Sequence, residues 1–190
     1  SRRNLVVATS VVGGAAGVAT AVPFVGSMLP SERAKAAGAP VGVDLSKIAP
    51  GELSVIEWRG KPVWVIRRTK EMIESLKTVT PKLTDPASKS SGQTKDAENE
   101  YRAQKPEIMV MEGVCTHLGC SPQLKPAADK GEMGADWVGG FYCPCHGSKF
   151  DLAGRVFRGA PAPVNLKIPP YTFLSDNTLV IGEDQEKKGA

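Results

Sequence analysis

All four cysteines of the chain, Cys115, Cys120, Cys143 and Cys145, and its only two histidines, His117 and His146, fall between residues 115 and 146. They make up two boxes, Cys115-Thr116-His117-Leu118-Gly119-Cys120 and Cys143-Pro144-Cys145-His146-Gly147-Ser148. Each box offers one cysteine and one histidine at short spacing, as two loops must if each is to present two ligands to one metal centre. If the boxes serve one centre, the fold has to bring two separate loops to one point. Cys120 and Cys145 are left over.

The remainder of the chain bounds the context. With 190 residues there is room for one domain with a sizeable core plus attachments. The formal charge of +4 comes from scattered Lys and Arg with no basic run, so no nucleic-acid partner is expected. No charged side chain occurs from Asn4 to Ser31. As a helix from Leu5 to Leu29 this stretch spans about 37 Å, against a hydrocarbon core of about 30 Å, an excess that a tilt or a kink at Pro23 would absorb. Gly13, Gly14, Gly17 and Gly26 suit close packing against other membrane helices. Arg2 and Arg3, just before it, place the N-terminus in the cytoplasm and the rest across the membrane.

The opening Ser1-Arg2-Arg3-Asn4-Leu5-Val6 also resembles a twin-arginine export signal, and Ala37-Gly38-Ala39 offers a small-residue cleavage pattern. The apolar span exceeds a usual signal core, which favours a retained anchor over residues 1–29. Residues 30–43, rich in Ala, Gly and Pro, read as a flexible tether. In the domain expected over 44–190, Leu53–Trp58 and Val63–Arg67 read as a hairpin around Arg59-Gly60-Lys61-Pro62. Lys70–Lys77 carries Met72, Ile73 and Leu76 at helical spacing. Residues 78–106 read as a polar surface insertion without chemistry. Glu107–Glu112 reads as a strand leading into the first box, and Thr178–Ile181 as a closing strand after an Asp176-Asn177 turn.

Three chemistries compete for the boxes: two disulfides, a zinc site with two cysteines and two histidines, or a [2Fe–2S] cluster with mixed ligands. Disulfides alone leave the histidines unexplained. Zinc fits the ligand count, but structural zinc sites usually space a pair by roughly two to five residues, and Cys115-x-His117 is tighter. At this point the chain resembles the Rieske family, whose pattern C-x-H-x(n)-C-x-x-H is met by Cys115, His117, Cys143 and His146. The resemblance extends loosely over the whole chain, in the order anchor, tether, hairpin, insertion and cluster loops.

That resemblance implies a mainly β, Rieske-type antiparallel β-sandwich with a cluster-binding subdomain over 111–163, plus one N-terminal transmembrane helix. It implies one iron on Cys115 and Cys143, the other on His117 and His146, and a disulfide between Cys120 and Cys145. Gly159-Ala160-Pro161-Ala162-Pro163 looks like the family's proline loop. Ser148 matches a serine that hydrogen-bonds a cluster sulfur, whereas Phe150 stands where high-potential members commonly have Tyr, which implies a lower potential. Leu118 reads either as an apolar cap over the cluster or as a core leucine.

Charge counting explains the histidines. An oxidised [2Fe–2S] core with two thiolates and two neutral imidazoles is near neutral, so it accepts an electron more readily than an all-cysteine site. The potential rises from about −400 mV to between about −150 and +300 mV. By resemblance, this is the electron-transfer subunit of a quinol–cytochrome c reductase in the bacterial inner membrane, with its cluster domain periplasmic. Its expected partners are quinol, cytochrome b, a c-type cytochrome and the lipid bilayer. His146, with His117, is expected to meet the quinol and take its proton. A Rieske subunit of an arsenite-oxidase-like enzyme and a zinc-stabilised, disulfide-linked binding module are the alternatives.

Overall fold

The computed structural model describes residues 1–90 and 92–183. Ser91 of the expected insertion and residues 184–190 of the expected cluster domain lie outside the described residues. The chain divides into two units, residues 1–38 and 39–190.

The first unit is dominated by α1, Arg2–Ser27, which is long and apolar enough to span a membrane. Three of its hydroxyls bond within the helix: Thr9 and Thr20 donate to the carbonyls of Leu5 and Ala16, both at 2.8 Å, and Ser27 donates to that of Phe24 at 2.7 Å. Such internal pairing is what a hydrocarbon surround demands. The helix stops at Ser27, two residues short of the expected anchor boundary.

The expected tether is also shorter than 30–43. Glu32–Ala37 forms a short helix, α2, whose first turn is capped by Ser31 accepting from the Ala34 N–H at 3.2 Å. Val41–Asp44 is a strand. The Ala-, Lys- and Glu-rich sequence of α2 favours helix, and four residues of strand are too few to show a period.

Nine strands are assigned among the described residues: β1 Val41–Asp44, β2 Leu53–Trp58, β3 Lys61–Arg67, β4 Ile108–Glu112, β5 Gln123–Lys125, β6 Gly140–Tyr142, β7 Lys149–Phe150, β8 Tyr171–Ser175 and β9 Thr178–Ile181. They form three antiparallel sheets, ordered β1-β9-β8, β2-β3-β4 and β5-β6-β7. The hairpin closes around Arg59-Gly60 alone, both at positive φ (53° and 69°), a two-residue turn whose twist matches its strands. Lys61 and Pro62, expected in the turn, begin β3. Pairing with β4 starts at Val63, so the missing N–H of Pro62 breaks no ladder bond to β4.

Strand β3 is central, and Val63, Trp64, Val65 and Ile66 are all buried because both faces of its sheet are covered. One core draws Trp58, Ile66 and Met109 from this sheet, Tyr171, Leu179 and Ile181 from the terminal sheet, and Phe141 and Phe150 from the third. Helix α3, Lys70–Val79, is capped by Thr69 accepting from Met72 N–H and buries Leu76 against Leu152 and Ala153.

The polar segment 78–106 is not simply a surface insertion. Leu83, Ala97, Ser88 and Arg102 are fully buried. The Arg102 guanidinium donates to the carbonyls of Ala153, Gly154 and Leu166 and to Gln93 Oε1. Arg68 donates to the carbonyls of Pro106, Tyr101 and Leu152, and Arg155 pairs with Asp151 at 2.7 Å. Burial pushes Arg68 and Arg102 down to about 10, which leaves both charged at neutral pH. Arginine serves here as a many-armed cap for backbone carbonyls that no strand satisfies.

Tyr171 is 1% exposed and its hydroxyl accepts from the Gln104 N–H at 2.9 Å. Burial pushes its pKa up from 10.0 to about 12. Because the folded value is the higher, this contribution is present below about pH 10 and is lost as pH rises through 12. Tyr171→Phe is expected to cost about 1–3 kcal/mol near neutral pH by leaving Gln104 N–H unpaired. It is also expected to flatten the alkaline fall in stability, as measured by urea unfolding of the full chain at about pH 9 and about pH 11.5.

Candidate metal centre

The sheet β5-β6-β7 carries both boxes. Its register sets Gln123 opposite Tyr142, so the chain enters β5 from the first box beside the point where it leaves β6 for the second. The second box is the tip between β6 and β7, which pair Phe141 with Phe150. The first box leaves β4 through Gly113, where a Cβ would lie 2.2 Å from the Trp64 ring, so only glycine lets the chain pass the indole. Trp64 in turn stacks on Phe141, with centroids 4.8 Å apart and planes 17° from parallel.

The two boxes fold alike. Cys115 N–H donates to Cys120 O at 2.7 Å, and Cys143 N–H to Ser148 O at 2.8 Å. Gly119 N–H returns to Cys115 O at 3.0 Å, and Gly147 N–H to Cys143 O at 2.9 Å. Both glycines sit at positive φ, 86° and 78°, the region where a side chain is strained. The fifth residue of each box is therefore glycine for a backbone reason.

Cys120 and Cys145 form a disulfide, with Cα atoms 6.7 Å apart, which ties the boxes together. Cys115 and Cys143 are free and buried, and near enough for Cys143 to act on the Cys115 thiol. The His117 and His146 rings lie 4.7 Å apart at 89°. Thiol is thus paired with thiol and imidazole with imidazole. His117 Nδ1 is buried without a hydrogen-bond partner, while His146 is exposed. An orphaned buried nitrogen costs about 1–3 kcal/mol unless something else engages it, and a metal does so. The four residues fit a centre with two sulfur and two nitrogen ligands. Cys143 Sγ also lies within 4.8 Å of the sulfurs of Cys120 and Cys145, but those two are bonded to each other and offer no thiolate. The reading with two disulfides fails, because one forms and two thiols remain.

Burial pushes the Cys115 thiol up, as does the neighbouring Cys143, whereas the His117 N–H and the Ser148 hydroxyl pull it down. Metal binding displaces such a proton. Ser148 is fully buried; it contacts the Cys115 sulfur and its Oγ accepts the Ala162 N–H at 3.0 Å. Thr116 Oγ1 donates to Val164 O at 2.6 Å. The 159–163 loop and the residue after it are thereby strapped to both boxes. Thr116 and Trp64 were not singled out from the sequence, since a hydroxyl between two ligands and an indole in a strand carry no signal until the loop and sheet are placed. Phe150 is fully buried, and Leu118 is 71% exposed, which removes its reading as a core leucine.

Residues 41–170 match the model of the Rieske [2Fe–2S] domain. The chain is 54% identical to the ubiquinol-cytochrome c reductase iron-sulfur subunit of Allochromatium vinosum, covering 97% of this chain and 89% of that one. It is 45% identical to the subunit of the same name from Rhodospirillum rubrum, covering 96% and 92%. Among solved structures it is similar to a chain of a hyperthermophilic respiratory Complex III, with a TM-score of 0.51, 30% identity, and 91% and 97% coverage.

Replacing both Cys120 and Cys145 by Ser is expected to lower the stability of the chain by about 3 kcal/mol, through the freed loop entropy of the unfolded state. Urea unfolding with and without the disulfide measures it.

Proposed function

The chain belongs to the Rieske [2Fe–2S] family, and we propose that Cys115 and Cys143 hold one iron of its cluster and His117 and His146 the other. The observation that carries this assignment is the pairing of like with like, two thiols in contact and two imidazoles in contact, with His117 Nδ1 buried and otherwise unengaged. The chain is an iron–sulfur subunit of the ubiquinol–cytochrome c reductase type and transfers electrons. Bound in this site, the cluster supplies a one-electron acceptor of raised potential, because two of its ligands are neutral.

The residues around it divide the work. His146 is the exposed imidazole and is the one placed to accept a hydrogen bond from a quinol hydroxyl and to hold its proton. Ser148 fixes a cluster sulfur, and the disulfide keeps the boxes from parting. Leu118, Pro144, Pro161 and Pro163 are exposed around the tip and give it an apolar rim that excludes water where it docks.

Cytochrome b is the partner at the quinol site and a c-type cytochrome the acceptor, with the 28–40 connection letting the domain reach each in turn. Helix α1 anchors it in the bacterial inner membrane with the cluster domain periplasmic, as Arg2 and Arg3 before the span imply. The arsenite-oxidase-like reading is disfavoured by residues 78–106 and by kinship over nearly the whole chain.

The test is EPR with an iron and zinc assay on the purified, reduced chain. A rhombic [2Fe–2S] signal with average g below that of all-cysteine ferredoxins, lost in His117→Ala and His146→Ala, is the expected result. A zinc-loaded, EPR-silent chain overturns the assignment. Phe150→Tyr, which adds a hydroxyl behind the second box, is expected to raise the cluster midpoint in a redox titration followed by EPR. An unchanged or lower midpoint removes Phe150 as a tuning position.

A further inference from the structure

The sulfur that binds iron and the sulfurs that brace the loops form one cluster. Cys143 Sγ lies within 4.8 Å of both Cys120 Sγ and Cys145 Sγ, so a ligand cysteine sits against the cross-link. We propose that this triangle is a trap: whenever Cys143 is not engaged as a ligand, its sulfur attacks the Cys120–Cys145 disulfide, forms a Cys120–Cys143 disulfide and releases Cys145. The trap rests on the reading of Cys143 as a ligand, because ligation is what keeps the sulfur occupied.

The exchange balances internally. The Cys120–Cys145 bond breaks, the Cys120–Cys143 bond forms, and the proton of the Cys143 thiol ends on Cys145, with no oxidant or reductant consumed. The direction follows from position. Cys145 is exposed, so the departing sulfur is hydrated, whereas Cys120 is half-buried. Attack on Cys145 instead would close a ring across Pro144 alone, whose fixed φ leaves little freedom to relieve strain. Cys115 also touches Cys143, but joining those two requires an external oxidant, which the exchange does not.

Two consequences follow for this chain. Loss of the cluster becomes irreversible without a thiol reductant, because one ligand is spent in a disulfide and the brace is moved. Ligation of Cys143 also has to precede or accompany closure of the Cys120–Cys145 bond, since a chain that forms the bond first exposes it to the free sulfur.

The experiment uses the full chain in detergent. Iron content and EPR of the starting protein are measured first, so that a chain without iron defeats the ligand assignment before exchange is examined. The cluster is then removed with a chelator under argon, free thiols are alkylated in acid, and disulfides are mapped by mass spectrometry without reduction. Fragmentation on the N-terminal side of Pro144 separates Cys143 from Cys145. Before removal the expected disulfide is Cys120–Cys145, with Cys115 and Cys143 in no disulfide. After removal it is Cys120–Cys143, with Cys145 alkylated, and a thiol reductant followed by iron and sulfide restores the EPR signal that iron and sulfide alone do not. In Cys143→Ser the original disulfide survives the same treatment. An intact Cys120–Cys145 bond with alkylated Cys143 in the stripped protein overturns the trap. Scrambling that engages Cys115 as often as Cys143 does so too, because it reports unfolding rather than the triangle.

Discussion

Trp64 of β3 and Phe141 of β6 stack at 4.8 Å, and this contact is the seam between the base of the domain and the small sheet that carries both boxes. Two six-residue loops have no core of their own, so their position is inherited from whatever anchors the strands beneath them. Gly113 belongs to the same seam, because the Trp64 ring occupies the space a Cβ would need just before Cys115. Above the seam the interactions become local: matched backbone bonds within each box, the disulfide between boxes, and the Thr116 and Ser148 contacts to the loop around 162–164. Precision at the tip is thus built outward from one aromatic contact, with each layer fixing the next.

Below the seam the domain uses polar groups where a larger protein would use more apolar ones. The carbonyls of 152–154 and 166 lie at the junction of segments without regular pairing, and Arg68 and Arg102 satisfy them from within. Arg155 needs Asp151 beside it, and Asp151 also accepts the N–H groups of Ala153 and Arg155. Removing one partner of such a buried pair strands a charge, at about 3–5 kcal/mol. It also ties 78–106 to the strand that leaves the second box.

What could be read in advance follows the length of each element. The β2–β3 hairpin, β4, α3 and β9 were legible because runs of four to ten residues show a period or a turn signature. Strands β5, β6 and β7 have two or three residues each, and β1 hid in a segment that composition marks as linker. Burial of Arg102 and Ser88 was not legible, since polar residues default to the surface and only the placement of distant carbonyls reverses that. The site was the opposite case. All four cysteines and both histidines stood out by chemical type, the resemblance singled out Cys115, His117, Cys143 and His146 and implied their pairing, and the structure adds how close thiol lies to thiol and imidazole to imidazole. The exposure of Leu118 likewise could not be chosen from sequence.

The site also sets a bracing requirement against a chemical one. Loops at a solvent-facing tip need a covalent brace, and a brace between the boxes has to lie close to the ligands it steadies. Closeness between a disulfide and a free thiol is, however, the condition for exchange. Separating them would relax the boxes, while removing the brace would let them part. Here Cys143 Sγ lies within 4.8 Å of both sulfurs of the Cys120–Cys145 bond, so the two requirements meet at one place. On the proposed reading, ligation of Cys143 is what reconciles them, because it occupies the sulfur that lies against the brace.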